Sequence, residues 1–230
     1  MPYRMLAFDH DETLAVDGTI QPRTVEALAA AKKAGWLLAM VTGRSHQRIL
    51  EICPCVDLFD LIVDENGAVL YFPATGELEE LAAAPDGRLR THLEHRGVPF
   101  VAGRVVTITT RAHEPDVRAV VAAEGLALDL YCNRFAVMIV PRGTSKATGL
   151  GEGLKRLGVP SREAIVVGDD ENDLALFEAG GLRVAVGNAI DALKSRADLV
   201  LGKPNGEGVA EFIYETLLKA PDGLPAPRRR

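Results

Sequence analysis

Asp9 and Asp11 stand two positions apart in FDHDETL, directly after the apolar run Met5-Leu6-Ala7-Phe8. Residues two apart on a strand share a side, so two like charges meet where a core begins. Such a pair drives protons onto itself unless something opposes the repulsion. A second cluster, GDDEND, carries Asp169, Asp170, Glu171, Asn172 and Asp173 after the apolar run 164–167. Asp9/Asp11 and Asp169/Asp173 together make a hard, all-oxygen donor set of the kind that suits Mg²⁺. Thr42-Gly43-Arg44 follows another apolar run, 36–41, and Lys146 opens a later helix. The Thr42 hydroxyl, the Gly43 N–H and the Lys146 ammonium are the donors a phosphate needs. Metal, anion pocket and free carboxylate together indicate phosphoryl transfer. Asp9 can attack phosphorus as a carboxylate nucleophile. Asp11 can protonate the leaving oxygen and then deprotonate the attacking water. One cation tolerates both charges if Asp9 ligates it and Asp11 reaches it through its backbone carbonyl. Thr13 is expected to hold Asp9 in place. Arg44 fits a substrate contact or a core salt bridge equally well.

These groups need strand ends that converge, and the apolar pattern supplies them. Short apolar runs at 5–8, 36–41, 61–63, 164–167, 182–186 and 199–201 read as buried strands. Helical stretches at 22–34, 46–52, 146–157, 172–179, 190–196 and 208–218 alternate with them. Asn66-Gly67 signals a tight turn into a strand over 68–72. The rhythm changes between about 73 and 143. Helices at 86–96 and 115–124, with strands at 105–109, 127–131 and 135–140, suggest an open antiparallel sheet with one wet face. The expected fold is α/β: a parallel sheet with helices on both faces, plus a small inserted α+β unit. The core spans 1–73 and 144–220, the insertion 74–143, and 221–230 reads as a flexible tail.

Bulk properties narrow the partners. The chain has 230 residues, 47% of them hydrophobic, and a formal net charge of −6. An acidic chain is a poor holder of nucleic-acid backbone. The apolar runs are too short to span a bilayer, and no leader precedes the first strand, so a cytoplasmic protein is expected. Cys53, Cys55 and Cys132 are read as bystander thiols, not as a disulfide framework or metal site. The expected partner is a small phosphorylated metabolite, with no nucleic acid and no membrane, and the expected state is a monomer or homodimer.

DHDETL, VTGR, Lys146 and GDDEND, in that order, resemble the four signatures of the haloacid dehalogenase (HAD) superfamily, over the whole chain. The placement of the insertion is similar to the type-2 caps of Cof-like sugar phosphatases and small phosphoglycolate phosphatases. The resemblance implies a HAD-like Rossmannoid core, with Asp9 as nucleophile and Asp11 as acid/base. It implies Mg²⁺ on Asp9, Asp11, Asp169 and Asp173, and phosphate on Thr42, Gly43 and Lys146, with Asn172 orienting Asp9 or the phosphate. The expected activity is Mg²⁺-dependent hydrolysis of a sugar phosphate or phosphoglycolate-like ester through an aspartyl-phosphate. A phosphomannomutase-like phosphomutase and a non-catalytic phospho-acceptor module are the alternatives. Glu12 stands where these phosphatases often carry glycine. His10 is expected to point away from the acids and to pack or hydrogen-bond. Arg111, His113, Asn133, Arg134 and Arg142 are candidate substrate readers. Asp170 and Glu171 are read as solvated helix-start carboxylates.

Overall fold

Met5–Phe8 (β1) is apolar and fully buried, which places it at the centre of a sheet. The computed structural model describes residues 2–85, 87–219 and 223–226. After β1 the chain makes a small hairpin, Ala15–Val16 (β2) and Thr19–Ile20 (β3). Asp17 and Gly18 join them with φ of 50° and 76°, the paired positive angles of a tight hairpin turn. Pro22–Lys33 (α1) then leads to Leu37–Val41 (β4), His46–Ile52 (α2), Leu61–Asp64 (β5) and Val69–Phe72 (β6). Glu77–Glu80 (β7) pairs antiparallel with β6.

The insertion comprises Arg88–His95 (α3), Val101–Ala102 (β8), Thr107–Thr110 (β9), Glu114–Ala123 (α4), Leu128–Cys132 (β10) and Ala136–Pro141 (β11). The return consists of Lys146–Arg156 (α5), Ala164–Gly168 (β12), Asp173–Ala179 (α6), Leu182–Ala185 (β13), Asp191–Lys194 (α7), Leu199–Val200 (β14) and Asn205–Glu211 (α8). A π-helical stretch, Phe212–Leu217, continues α8.

The main sheet runs β14-β13-β12-β1-β4-β5-β6-β7. Its strands from β14 to β5 are parallel, and β6 and β7 are antiparallel additions at one edge. α1 packs on α8, and α5 packs on α6, covering the two faces. β7 falls in the stretch that the sequence pattern assigns to the insertion, yet it extends the core sheet. Its Glu-Leu-Glu-Glu sequence has no apolar alternation, and only pairing with β6 makes it a strand.

The insertion folds as a four-stranded antiparallel sheet, β10-β11-β9-β8. One face is packed by α3 and α4 around Leu89, Leu93, Val117, Val120, Val137 and Ile139. The position expected to start α3, Asp86, lies outside the described residues. So does most of the expected flexible tail, although the Pro225 carbonyl within it accepts a hydrogen bond from the Tyr3 hydroxyl at 2.6 Å.

Register aligns the functional ends. Phe8 lies opposite both Met40 and Val167. One step further therefore sets Asp9 level with the end of β4 and with the acidic turn after β12. β1 is also where the strand order reverses, the place at which ligands bind open α/β sheets.

Candidate active site

Four charged groups meet beneath the ends of β1 and β12. Lys146 is fully buried at the first turn of α5, which is fixed by a capping box between Ser145 and Thr148. Its ammonium donates to Asp9 Oδ1 at 2.5 Å and to Asp173 Oδ1 at 2.6 Å. Asp173 Oδ2 accepts from the Asp169 and Asp170 N–H groups at 2.9 and 3.2 Å, tying the start of α6 back to the end of β12. Asp9, Asp169 and Asp173 each bring a carboxylate oxygen to within 4.8 Å of the others.

One ammonium cannot neutralise three buried carboxylates. Burial raises the Asp9 carboxyl well above its usual range, and Asp173 and Asp169 add to this against the pull of Lys146. Burial, then Asp173, pushes Asp169 up to about 8. Lys146 shifts the other way from what burial dictates: Asp173 and Asp9 hold its ammonium protonated. The cluster is thus a negative pocket short of positive charge.

Asp11 belongs to a different arrangement. Its carboxylate is gripped by the Arg44 guanidinium, from Nε at 2.8 Å and from a terminal nitrogen at 2.7 Å. Burial alone would raise this carboxyl, but His10 and Arg44 outweigh it and hold it well below the usual range. Of the two roles open to Arg44, the core salt bridge is the one formed here. His10 is fully buried, yet its Nδ1 lies 3.3 Å from Asp11 Oδ1, so it faces the acid it was expected to turn from. Thr13 donates to Asp169 Oδ1 at 3.0 Å, not to Asp9. Glu12 has φ of 56°, the left-handed region that glycine tolerates best. The backbone here takes the conformation a glycine would favour, with the side chain carried at some strain.

A cavity of about 420 Å³ opens above the carboxylates. Asp9, Asp11, Asp169 and Asn172 line its floor, with Gly43 and Arg44 beside them. Thr42, Lys146 and Asp173 lie buried behind it, and the Thr42 hydroxyl oxygen accepts from the Arg44 N–H at 3.1 Å. The tip of the β2–β3 hairpin, Asp17 and Gly18, forms part of the rim. An Asp-Gly pair is a strong hairpin signal, but two-residue strands leave no apolar pattern to accompany it.

The roof comes from the insertion, held down by acids whose partners are far away in sequence. Asp170 is buried and accepts from the Arg134 N–H at 2.8 Å. Glu171 pairs with Arg111 at 3.0 Å, and Arg111 also pairs with Glu114 at 2.9 Å. Asp170 is thus not the solvated helix-start carboxylate that was expected, whereas Glu171 is exposed as expected and carries an ion pair besides. Of the candidate readers only Asn133 lines the cavity, and its Oδ1 is occupied by the Phe135 and Ala136 N–H groups. His113 faces Asp116.

Glu65, beside the Asn66-Gly67 turn, is a residue that periodicity does not mark. It is fully buried. Its carboxylate accepts from the Arg104, Val105 and Val106 N–H groups at 2.9, 2.7 and 2.9 Å, clamping the insertion to the core. Glu65→Gln sets an amide against these donors and costs about 1–3 kcal/mol. Urea unfolding checks this, and an unchanged midpoint would show that the clamp contributes nothing.

With this geometry, the comparisons with known proteins agree. The description of haloacid dehalogenase-like hydrolases matches residues 6–83 and 131–213. A phosphoglycolate phosphatase of Archaeoglobus fulgidus is 30% identical, over 86% of this chain and 92% of its own. Pyridoxal phosphate phosphatase YbhA of Escherichia coli is 28% identical, over 95% and 100%. A haloacid dehalogenase-like hydrolase structure from Bacteroides thetaiotaomicron superposes with a TM-score of 0.79 over 93% of this chain and 99% of its own, at 20% identity. The chain belongs to the haloacid dehalogenase-like hydrolases and is a phosphatase among them.

Proposed function

We propose that the protein is a Mg²⁺-dependent phosphatase that hydrolyses a small phosphomonoester through an aspartyl-phosphate on Asp9. The observation that carries this reading is the buried Asp9–Asp169–Asp173 cluster with its single counter-charge, Lys146. The donor set fits the ion: three hard carboxylates, two of them pushed upward by burial and by one another's charge. Asp9, Asp169 and Asp173 would hold it, with Asp11 contributing its backbone carbonyl. When bound, Mg²⁺ neutralises charge on the nucleophile and on the transferring phosphoryl group.

The chain's own groups do the rest. Lys146 fixes the Asp9 carboxylate, the Gly43 N–H at the cavity would donate to a phosphoryl oxygen, and the Thr42 hydroxyl, buried behind it, would do so once the phosphate enters. Asn172, on the cavity floor, orients the phosphate. Asp9 forms a bond to phosphorus as the ester oxygen leaves, and that oxygen takes a proton from Asp11. Water then attacks phosphorus, Asp11 takes its proton, and Asp9 is released with inorganic phosphate. The Arg44 fork keeps Asp11 ionised, which suits the second half. The first half needs Asp11 to be freed and protonated, and an arriving phosphate is the anion that competes for Arg44.

The insertion acts as a cap, and its contacts through Glu171 and Asp170 are those of a closed lid. The relatives' names cover two leaving groups, glycolate and pyridoxal, and a sugar or glycolate head is the reading drawn from the resemblance. The three free thiols fit a reducing cytoplasm, with the enzyme acting as a monomer or homodimer. No helix among the described residues is long and apolar enough to cross a membrane.

Metal removal tests the central claim. Phosphate release should vanish with EDTA and return with Mg²⁺. Ca²⁺ should inhibit, because its longer, looser coordination spoils in-line geometry. Full activity after exhaustive EDTA treatment would sink the proposal.

A further inference from the structure

The cap turns an apolar face to the reacting groups. Val101 pairs with Ile108, and Ile108 pairs with Met138, so these side chains form one row across β8, β9 and β11. All three line the cavity, and Phe135, just before β11, joins them. The alternation of β11 explains the division. Val137 and Ile139 pack into the cap's own core, while Ala136 and Met138 face the site.

Val101 and Phe135 are 60% and 61% exposed, the most exposed large hydrophobic residues among those described. Both stand over the same catalytic carboxylates. Apolar groups left in water and gathered in one concave place mark a binding surface. Among the described residues, the cap sends no charged side chain into this cavity. Arg111 is committed to Glu171 and Glu114. The Arg134 guanidinium lies 5.9 Å from the centre of the Phe135 ring and does not line the cavity. Among the described cap side chains that line the cavity, a polar or acidic head would therefore meet only the Asn133 amide, while a ring would cover Val101, Ile108, Met138 and Phe135.

We propose that the preferred substrate carries an apolar or aromatic ring as its leaving group, seated on the Val101–Ile108–Met138 row beside Phe135. The proposal rests on the phosphatase reading above and adds the identity of the head.

Three esters of aliphatic alcohols test it: benzyl phosphate, glycerol phosphate and phosphoglycolate. All three are phosphate esters of aliphatic carbinols, so differences in kcat/KM report mainly contacts with the head. p-Nitrophenyl phosphate gauges phosphatase activity itself. Benzyl phosphate should be favoured over the other two by about 10- to 150-fold, the worth of burying a ring of that size. Phe135→Ser and Val101→Ser alter exposed residues and spare the core, and together they should cut that ratio by roughly 10-fold. Hydrolysis of all esters without a benzyl preference, or a preference that the double variant does not reduce, overturns this inference alone. No phosphate release from any ester, p-nitrophenyl phosphate included, overturns the phosphatase reading with it.

Discussion

Asp9→Asn should abolish phosphate release and leave the fold in place. The amide matches the carboxylate in shape, and Asp9 is only 5% exposed, so packing is conserved. An amide nitrogen or oxygen is too weak a nucleophile to form the phospho-enzyme, and loss of at least about 10⁴-fold in kcat is expected. Stability should change little. The substitution removes one ion-pair partner of Lys146, but Asp173 remains on the ammonium at 2.6 Å, and one of three crowded negative charges is gone. Phosphate release and a thermal melt on the same sample read both parts. Turnover near the wild-type rate would remove Asp9 from the reaction.

Lys146→Met has the largest expected effect on stability. The ammonium is fully buried between Asp9 and Asp173, and methionine keeps much of its length without the charge. Breaking a buried ion pair from one side costs about 3–5 kcal/mol, because the remaining charge has no partner. Here three carboxylates are stranded. Urea unfolding in EDTA should show this loss, a large part of the stability of a typical domain. Mg²⁺ should restore more stability to the variant than it adds to the parent, since an ion that binds only the folded state stabilises it. An EDTA midpoint equal to that of the parent would show that Lys146 is not the cluster's counter-charge.

The acids at the ends of β1 and β12 were legible because each follows directly on a buried apolar run, and local pattern suffices to place such residues. The same holds for Thr42 and Gly43 after β4. What local pattern missed depends on distant partners. Asp170 looks like a solvent-facing residue until the Arg134 N–H arrives from 36 residues away, and Glu171 is exposed as expected but paired with Arg111 from 60 residues away. Arg111 looked like a substrate reader for the same reason: its charge is visible in the sequence and its partner is not. β7 has no apolar period, so only the edge of β6 defines it. Glu65 was hidden by its neighbours, since Asn66-Gly67 announces a turn and says nothing of the acid that clamps the insertion from within it. Thr13 was placed correctly at the turn and assigned to the wrong acid, because Asp169 and Asp9 are close in space and far apart in sequence.

The order of the main sheet bears on how the chain acquires its shape. β1 is the first strand made, yet Met5 lies opposite Ala164 on one side. Until β12 has been synthesised, β1 presents an unpaired apolar edge, the kind of edge that recruits other chains. Contacts so distant in sequence make for slow assembly, since the entropy of closing the loop must be met before the pairing stabilises anything. The insertion shortens that loop. It is continuous in sequence and has its own hydrophobic cluster, so it can condense early and draw its two ends together. The returning chain then seats on the turn between β5 and β6: a Cβ on Gly67 would lie 1.9 Å from the Ser145 carbonyl oxygen, so the start of α5 touches that turn, and only glycine permits it. A substitution at Gly67 would therefore slow refolding as well as weaken the folded state, by keeping the start of α5 off the core turn on which it sits before β12 reaches β1.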